Sequence, residues 1–139
     1  MLNLKIKILA INPIIIIIEV DMGLKIPEIK IPNRICKAAK YILDILTGDC
    51  RAKEFELSYL IKVFEFLGAQ YDEPEGSILR FDVSVEGIFI TIHKIHGKKK
   101  KLAKTVYLRN QNSPFNRNLR RTGTDLTKII KDIVDSCKK

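Results

Sequence analysis

Tryptophan is absent from this 139-residue chain, histidine occurs twice and cysteine three times. The cysteines, Cys36, Cys50 and Cys137, are odd in number and far apart. No zinc-knuckle or thioredoxin-type spacing is present, and no disulfide framework fits, which points to a reducing compartment and a cytoplasmic protein. Neither G-x-x-x-x-G-K-[ST] nor G-x-G-x-x-G occurs, so the nucleotide-phosphate chemistry of those loops has no support. No apolar run approaches the ~20 residues of a membrane span. The longest, residues 8–18, contains Asn12-Pro13 and runs straight into Glu19 and Asp21. Lys5 and Lys7 precede that run as in a signal peptide, but no small-residue cleavage site follows. Met22 as an alternative start stays open.

What is present is a soluble-type composition, 46% hydrophobic and 29% charged, with room for one domain. Lysine greatly outnumbers arginine and isoleucine is over-used, a bias of A+T-rich coding rather than of function. The net charge of +9 is unevenly placed. Residues 1–50 carry +2, residues 51–90 carry −4 and residues 91–139 carry +11. Between positions 94 and 121 stand ten Lys and Arg residues without one acid. Asymmetry of that kind points to a polyanion.

Residues 2–8 alternate apolar with Asn or Lys and residues 14–20 are β-branched, which predicts a strand pair. Two prolines make residues 23–32 an extended linker. A helix is predicted over 33–47, capped by Asn33 and stopped by Gly48, and a second within 51–67, stopped by Gly68. Asp72 to Gly76 reads as a turn. Leu79, Phe81, Val83 and Val85 share one face of a strand whose hairpin partner, residues 88–95, turns Ile88, Ile90 and Ile92 the same way. Residues 105–109 suggest a further strand and 110–123 an irregular polar loop. Thr124 caps a last helix with Leu126, Ile129, Ile130, Ile133, Val134 and Cys137 inward. The expected architecture is therefore α+β, a small antiparallel sheet on two or three helices. Residues 1–32 form a strand-rich extension and linker, and 33–139 the domain.

The candidate interface is the basic segment: Lys94, Lys98, Lys99, Lys100, Lys101, Lys104, Arg109, Arg117, Arg120 and Arg121. Arginine can grip phosphate in bidentate fashion, and Tyr107 and Phe115 within the same stretch offer rings for unpaired bases. His93 and His96 end a strand whose alternation sends them to opposite faces, and no acid or cysteine follows closely enough to complete a metal site. No metal and no cofactor are expected. Either histidine remains available as a general acid or base on RNA. Cys36 and Cys137 fall on apolar helix faces and read as core packing.

Several local motifs resemble the HicA family of small toxin ribonucleases. They are residues 60–68 as a helix, Gly76-Ser77 opening a strand, and Ile90-Thr91-Ile92 in a second. His96-Gly97-Lys98 and Gly123-Thr124-Asp125-Leu126 at a helix start complete the set. The resemblance covers residues 58–135 and implies a fold like the double-stranded-RNA-binding domain. The family's catalytic histidine follows Gly-Ser, where this chain has Ile78, so the implication is binding without cleavage. The alternative fold is a winged helix, with residues 51–67 as recognition helix and 77–94 as wing. The leading functional expectation is nucleic-acid binding through residues 94–121, RNA ahead of DNA. A metal-independent toxin-type ribonuclease using His93 or His96 comes second. Third is an interaction subunit, a homo-oligomer whose acidic middle pairs with the basic end of another copy.

Overall fold

A computed structural model describes residues 23–48 and 51–138, and the backbone of two strands before them. Cys50, Met22 and the Asn12-Pro13 pair lie outside the described residues. The architecture is α+β. In chain order the elements are β1 (Leu4–Ile11), β2 (Ile14–Asp21), α1 (Asn33–Leu46), β3 (Glu54–Glu56), α2 (Leu57–Phe66), β4 (Gln70–Glu75) and β5 (Ile78–Asp82). Then follow β6 (Phe89–His93), β7 (Leu102–Lys104), α3 (Val106–Arg109), α4 (Pro114–Arg121) and α5 (Leu126–Cys137). Among the described residues three antiparallel sheets result, β1-β2, β3-β7 and β4-β5-β6.

The core forms where periodicity says it should. Ile35, Ala38, Ala39, Ile42 and Ile45 line the buried stripe of α1, which packs against both α2 and α5. From the sheet, Leu79, Phe81, Ile90 and Ile92 are wholly buried. Phe64 of α2 meets Phe81 at 4.5 Å and Phe115 of α4 at 5.9 Å between ring centroids. Gly48 and Gly68 end α1 and α2 with φ of 81° and 103°, a conformation that a side chain would strain. The two-proline stretch is extended but docked: Leu24 is buried, and the Lys25 N–H donates to the Leu67 carbonyl at 3.0 Å.

Four local expectations are corrected. Helix α2 begins at Leu57, not near Arg51, because Glu54–Glu56 pairs with Leu102–Lys104 as a short ladder. Arg51 and Lys53 are thus off the helix that a winged-helix reading would place in a groove. Residues 72–75 are not a turn but the second half of β4. That edge strand is exposed throughout and carries Pro74 and a register shift, so it has no buried period to read. The strand expected at 105–109 is a single helical turn. Its ladder stops where Thr105 donates through N and Oγ1 to the Lys53 and Ala52 carbonyls. Helix caps also shift by one residue, with Pro32 before α1 and Asp125, accepting from the Thr127 N–H at 3.1 Å, before α5.

The cysteine reading is corrected as well. Cys36 on α1 and Cys137 at the end of α5 form a disulfide across 101 residues of chain, with Cα atoms 6.0 Å apart. Both do sit on inward-leaning flanks, but helix packing brings the two flanks together, which sequence spacing could not reveal. The free thiols on which the reducing compartment rests are, for these two residues, a cross-link. Among the described residues no helix is long and apolar enough to cross a membrane.

A loop of that length gives the cross-link an entropic weight of about 4–5 kcal/mol in the chain-entropy limit. Thermal unfolding followed by circular dichroism should therefore show a lower Tm in reducing buffer, by ten degrees or more. The double variant C36A/C137A should melt at the reduced value in either buffer. Equal melting of oxidised and reduced wild type refutes the staple.

Candidate nucleic-acid interface

The basic segment divides into two parts with different fates. The first is a loop between β6 and β7. Its neck is closed by the Ile95 N–H donating to the Leu102 carbonyl at 2.9 Å, and Gly97 turns its tip with φ of 78°. Acids from the net-negative middle of the chain reach several of its lysines. Glu73 of β4 pairs with Lys94 at 3.1 Å and Lys101 at 2.8 Å, spanning both arms of the loop. Glu56 pairs with Lys100 at 3.0 Å. Lys104 stands opposite Glu54 in the β3–β7 register. Lys98 and Lys99 are exposed at the tip, and no acid pairs with them among the described residues.

These pairs leave a titration signature. The Lys101 and Lys94 ammonium groups hold the Glu73 carboxyl below its usual range, and Glu73 in turn raises Lys101. Glu56 raises Lys100. A carboxyl lowered in the folded state stabilises above its unfolded pKa, and that contribution is lost as pH falls through the folded one.

The second part contains a helix where the sequence suggests a polar loop. Ser113 caps α4 by accepting from the Asn116 N–H at 3.1 Å, and Pro114 occupies the first turn, where its missing N–H costs nothing. Phe115, Asn116 and Leu119 face inward. The Asn116 amide is buried and donates to the carbonyls of Leu108 at 3.0 Å and Asn110 at 2.8 Å. Ser113 Oγ donates to the Tyr107 carbonyl at 2.8 Å. Together these bonds lock α4 to the end of α3. Arg117, Arg120 and Arg121 then share the opposite, exposed face at i, i+3 and i+4 spacing. Arg120 reaches Gln111 Oε1 at 3.4 Å and Arg121 reaches Asn118 Oδ1 at 3.3 Å, contacts that orient a guanidinium without neutralising it.

Three expected members take other roles. Phe115 is 1% exposed and belongs to the core, so its ring is withdrawn from any base. The Arg109 Nε donates to the Ile45 carbonyl at 2.8 Å, closing the end of α1. Tyr107 is half-buried, its ring roughly parallel to His93 at 6.5 Å. His93 faces outward across from Ile78, His96 is exposed in the loop, and no metal-holding cluster occurs among the described residues. Tyr71, which the sequence reading passes over, is exposed on β4 and lines a groove with Lys62, Lys100 and Lys101. An aromatic in an edge strand beside an acidic run was its available signal. In comparisons with known proteins, no family model matches the chain, and no curated protein and no solved structure matches it.

Two measurements check this geometry. Glu73→Gln should destabilise by about 0.5–1 kcal/mol at pH 7, and the difference from wild type should shrink as pH falls below the ordinary carboxylate range and through the lowered pKa of Glu73. A gap unchanged at pH 3 would mean that the ion pairs contribute nothing. Asn116→Ala strands the buried Leu108 carbonyl and removes a part-buried bond to Asn110, and should cost about 1–3 kcal/mol in urea unfolding. A loss under 0.5 kcal/mol would show that α4 is not held by that amide.

Proposed function

We propose that this protein binds nucleic acid through the phosphate backbone, RNA ahead of DNA, using the arginine face of α4 together with Lys98 and Lys99. The observation that carries the reading is the exposed triplet Arg117, Arg120 and Arg121 on a helix fixed from behind, with no acid paired to it among the described residues. Guanidinium groups so placed can each grip a phosphate in two bonds. With Phe115 in the core and Tyr107 half-covered, base stacking is a minor contributor, and little sequence preference is expected. RNA is favoured because the helix, Gly76-Ser77 strand, second strand, basic segment and Gly123-Thr124 helix start keep the order of the toxin-ribonuclease resemblance. The interaction-subunit reading loses ground. Its acidic partners Glu56 and Glu73 are already engaged with Lys94, Lys100 and Lys101 of the same chain.

The test is anisotropy of labelled RNA and DNA duplexes over a salt series. Five phosphate contacts give a slope of about −4.5 in log K against log salt, at roughly 0.9 per contact. R117A/R120A/R121A should bring the slope to about −1.8 and weaken low-salt binding roughly 100-fold, at about 1 kcal/mol per contact. K100A/K101A should change binding less than threefold. A flat salt response overturns the proposal. Cleavage of RNA that persists in EDTA and disappears in His93→Ala or His96→Ala transfers the site to the ribonuclease reading.

A further inference from the structure

Two carboxylates hold places on the β6–β7 loop that phosphates would take. Glu73 falls between the Asp72 and Glu75 pairings of β4, where the ladder register shifts. An irregularity of that kind frees a side chain from strict alternation and re-aims it. Here its Oε1 accepts from two ammonium groups, Lys94 Nζ at 3.1 Å and Lys101 Nζ at 2.8 Å. Glu56, at the end of β3, accepts from Lys100 Nζ at 3.0 Å. An oxyanion gripped by neighbouring ammonium groups is the arrangement a backbone phosphate meets on a basic surface.

The two acids differ in structural weight. The Lys94 side chain is only 14% exposed, so Glu73 balances a charge that the fold has largely withdrawn from water. Lys100 is 75% exposed, and a pair so open to solvent stabilises little. Its effect falls on the groove beside it. Lys62, Lys100 and Lys101 line a groove of about 520 Å³ together with Glu56, Glu65 and the exposed ring of Tyr71. With Glu73 on Lys101, three ammonium groups face three carboxylates, and the groove presents no net charge. Removing the charges of Glu56 and Glu73 would leave it at +2 beside an aromatic wall. Granted the nucleic-acid reading, on which this rests, we propose that the groove is a second phosphate-binding surface, occupied by Glu56 and Glu73, which thereby confine the footprint to α4 and the loop tip. A phosphate entering it must displace a carboxylate that is already tethered at contact distance, and a tethered competitor acts at a high effective concentration. The groove therefore adds little to binding in the wild type, and the two acids set where the nucleic acid stops.

The experiment repeats the anisotropy salt series with labelled RNA and the full chain. E56Q/E73Q should bind at least tenfold more tightly at low salt and steepen the slope from about −4.5 to about −6.3, two further contacts at roughly 0.9 each. The control is E75Q/E86Q, which changes the net charge of +9 by the same amount at two exposed carboxylates that pair with no lysine among the described residues. It should gain less than twofold at unchanged slope. Adding K100A/K101A to E56Q/E73Q should abolish the gain. E56Q alone leaves Lys94 paired and should gain threefold to fivefold with a slope of about −5.4, so the answer does not depend on the double variant keeping its fold. A gain no larger than that of the control, or one that persists without Lys100 and Lys101, overturns the proposal and leaves Glu56 and Glu73 as struts alone. A flat salt response of the wild type instead removes the nucleic-acid reading, and this proposal with it.

Discussion

Phe64 is the point at which the domain is joined. Its ring lies between Phe81 of the central strand β5 and Phe115 of α4. One aromatic on α2 therefore touches both the sheet and the arginine-bearing helix, which also packs directly against β6. Aromatic pairs of this kind contribute beyond the area they bury, and all three rings are essentially inaccessible to water. The site depends on this contact. With Phe115 held inside and Leu119 following one turn later, α4 has no freedom to roll, and Arg117, Arg120 and Arg121 must face solvent. The ring that sequence reasoning offers to a base is the one that aims the arginines.

The arrangement of charge follows a second constraint. Lysines concentrated in one loop repel one another, and the chain relieves part of that repulsion internally. Glu73 spans the two arms of the β6–β7 loop and Glu56 takes Lys100, so acids that look repulsive to phosphate in the sequence act as struts. The remaining unpaired charge is smaller than the formal count of the segment but better placed. Two lysines mark the loop tip and three arginines mark a helix face.

Elements whose side chains alternate between core and water were legible. The stripes of α1 and α5, the β5–β6 hairpin with its inward Leu79, Phe81, Ile90 and Ile92, and the glycine stops after α1 and α2 all follow from local pattern. Elements without a buried period were not. Strand β4 has no inward side chain, β3 and β7 have three residues each, and α4 is disguised by asparagines and a proline. Yet Ser113-Pro114 is a cap followed by a first-turn proline, and Phe115 and Leu119 are one turn apart, so the signal for α4 was present. The Cys36–Cys137 bond was beyond reach because it depends on how two helices pack 101 residues apart.

The division of labour between arginine and lysine bears on mechanism. Lysine at the loop tip is a compact charge on a flexible stem, suited to attracting a polyanion over distance. Arginine is planar and directional, and its advantage is realised only when the guanidinium is aimed. Here the aim comes from behind and from the side. Asn116 and Ser113 fix the helix, while Gln111 and Asn118 touch Arg120 and Arg121 through neutral oxygens. A carboxylate in either place would have oriented the guanidinium equally well and cancelled its charge. Neutral acceptors keep the charge whole, and on the proposed phosphate-binding reading they reduce part of the entropy cost of ordering two of the three side chains.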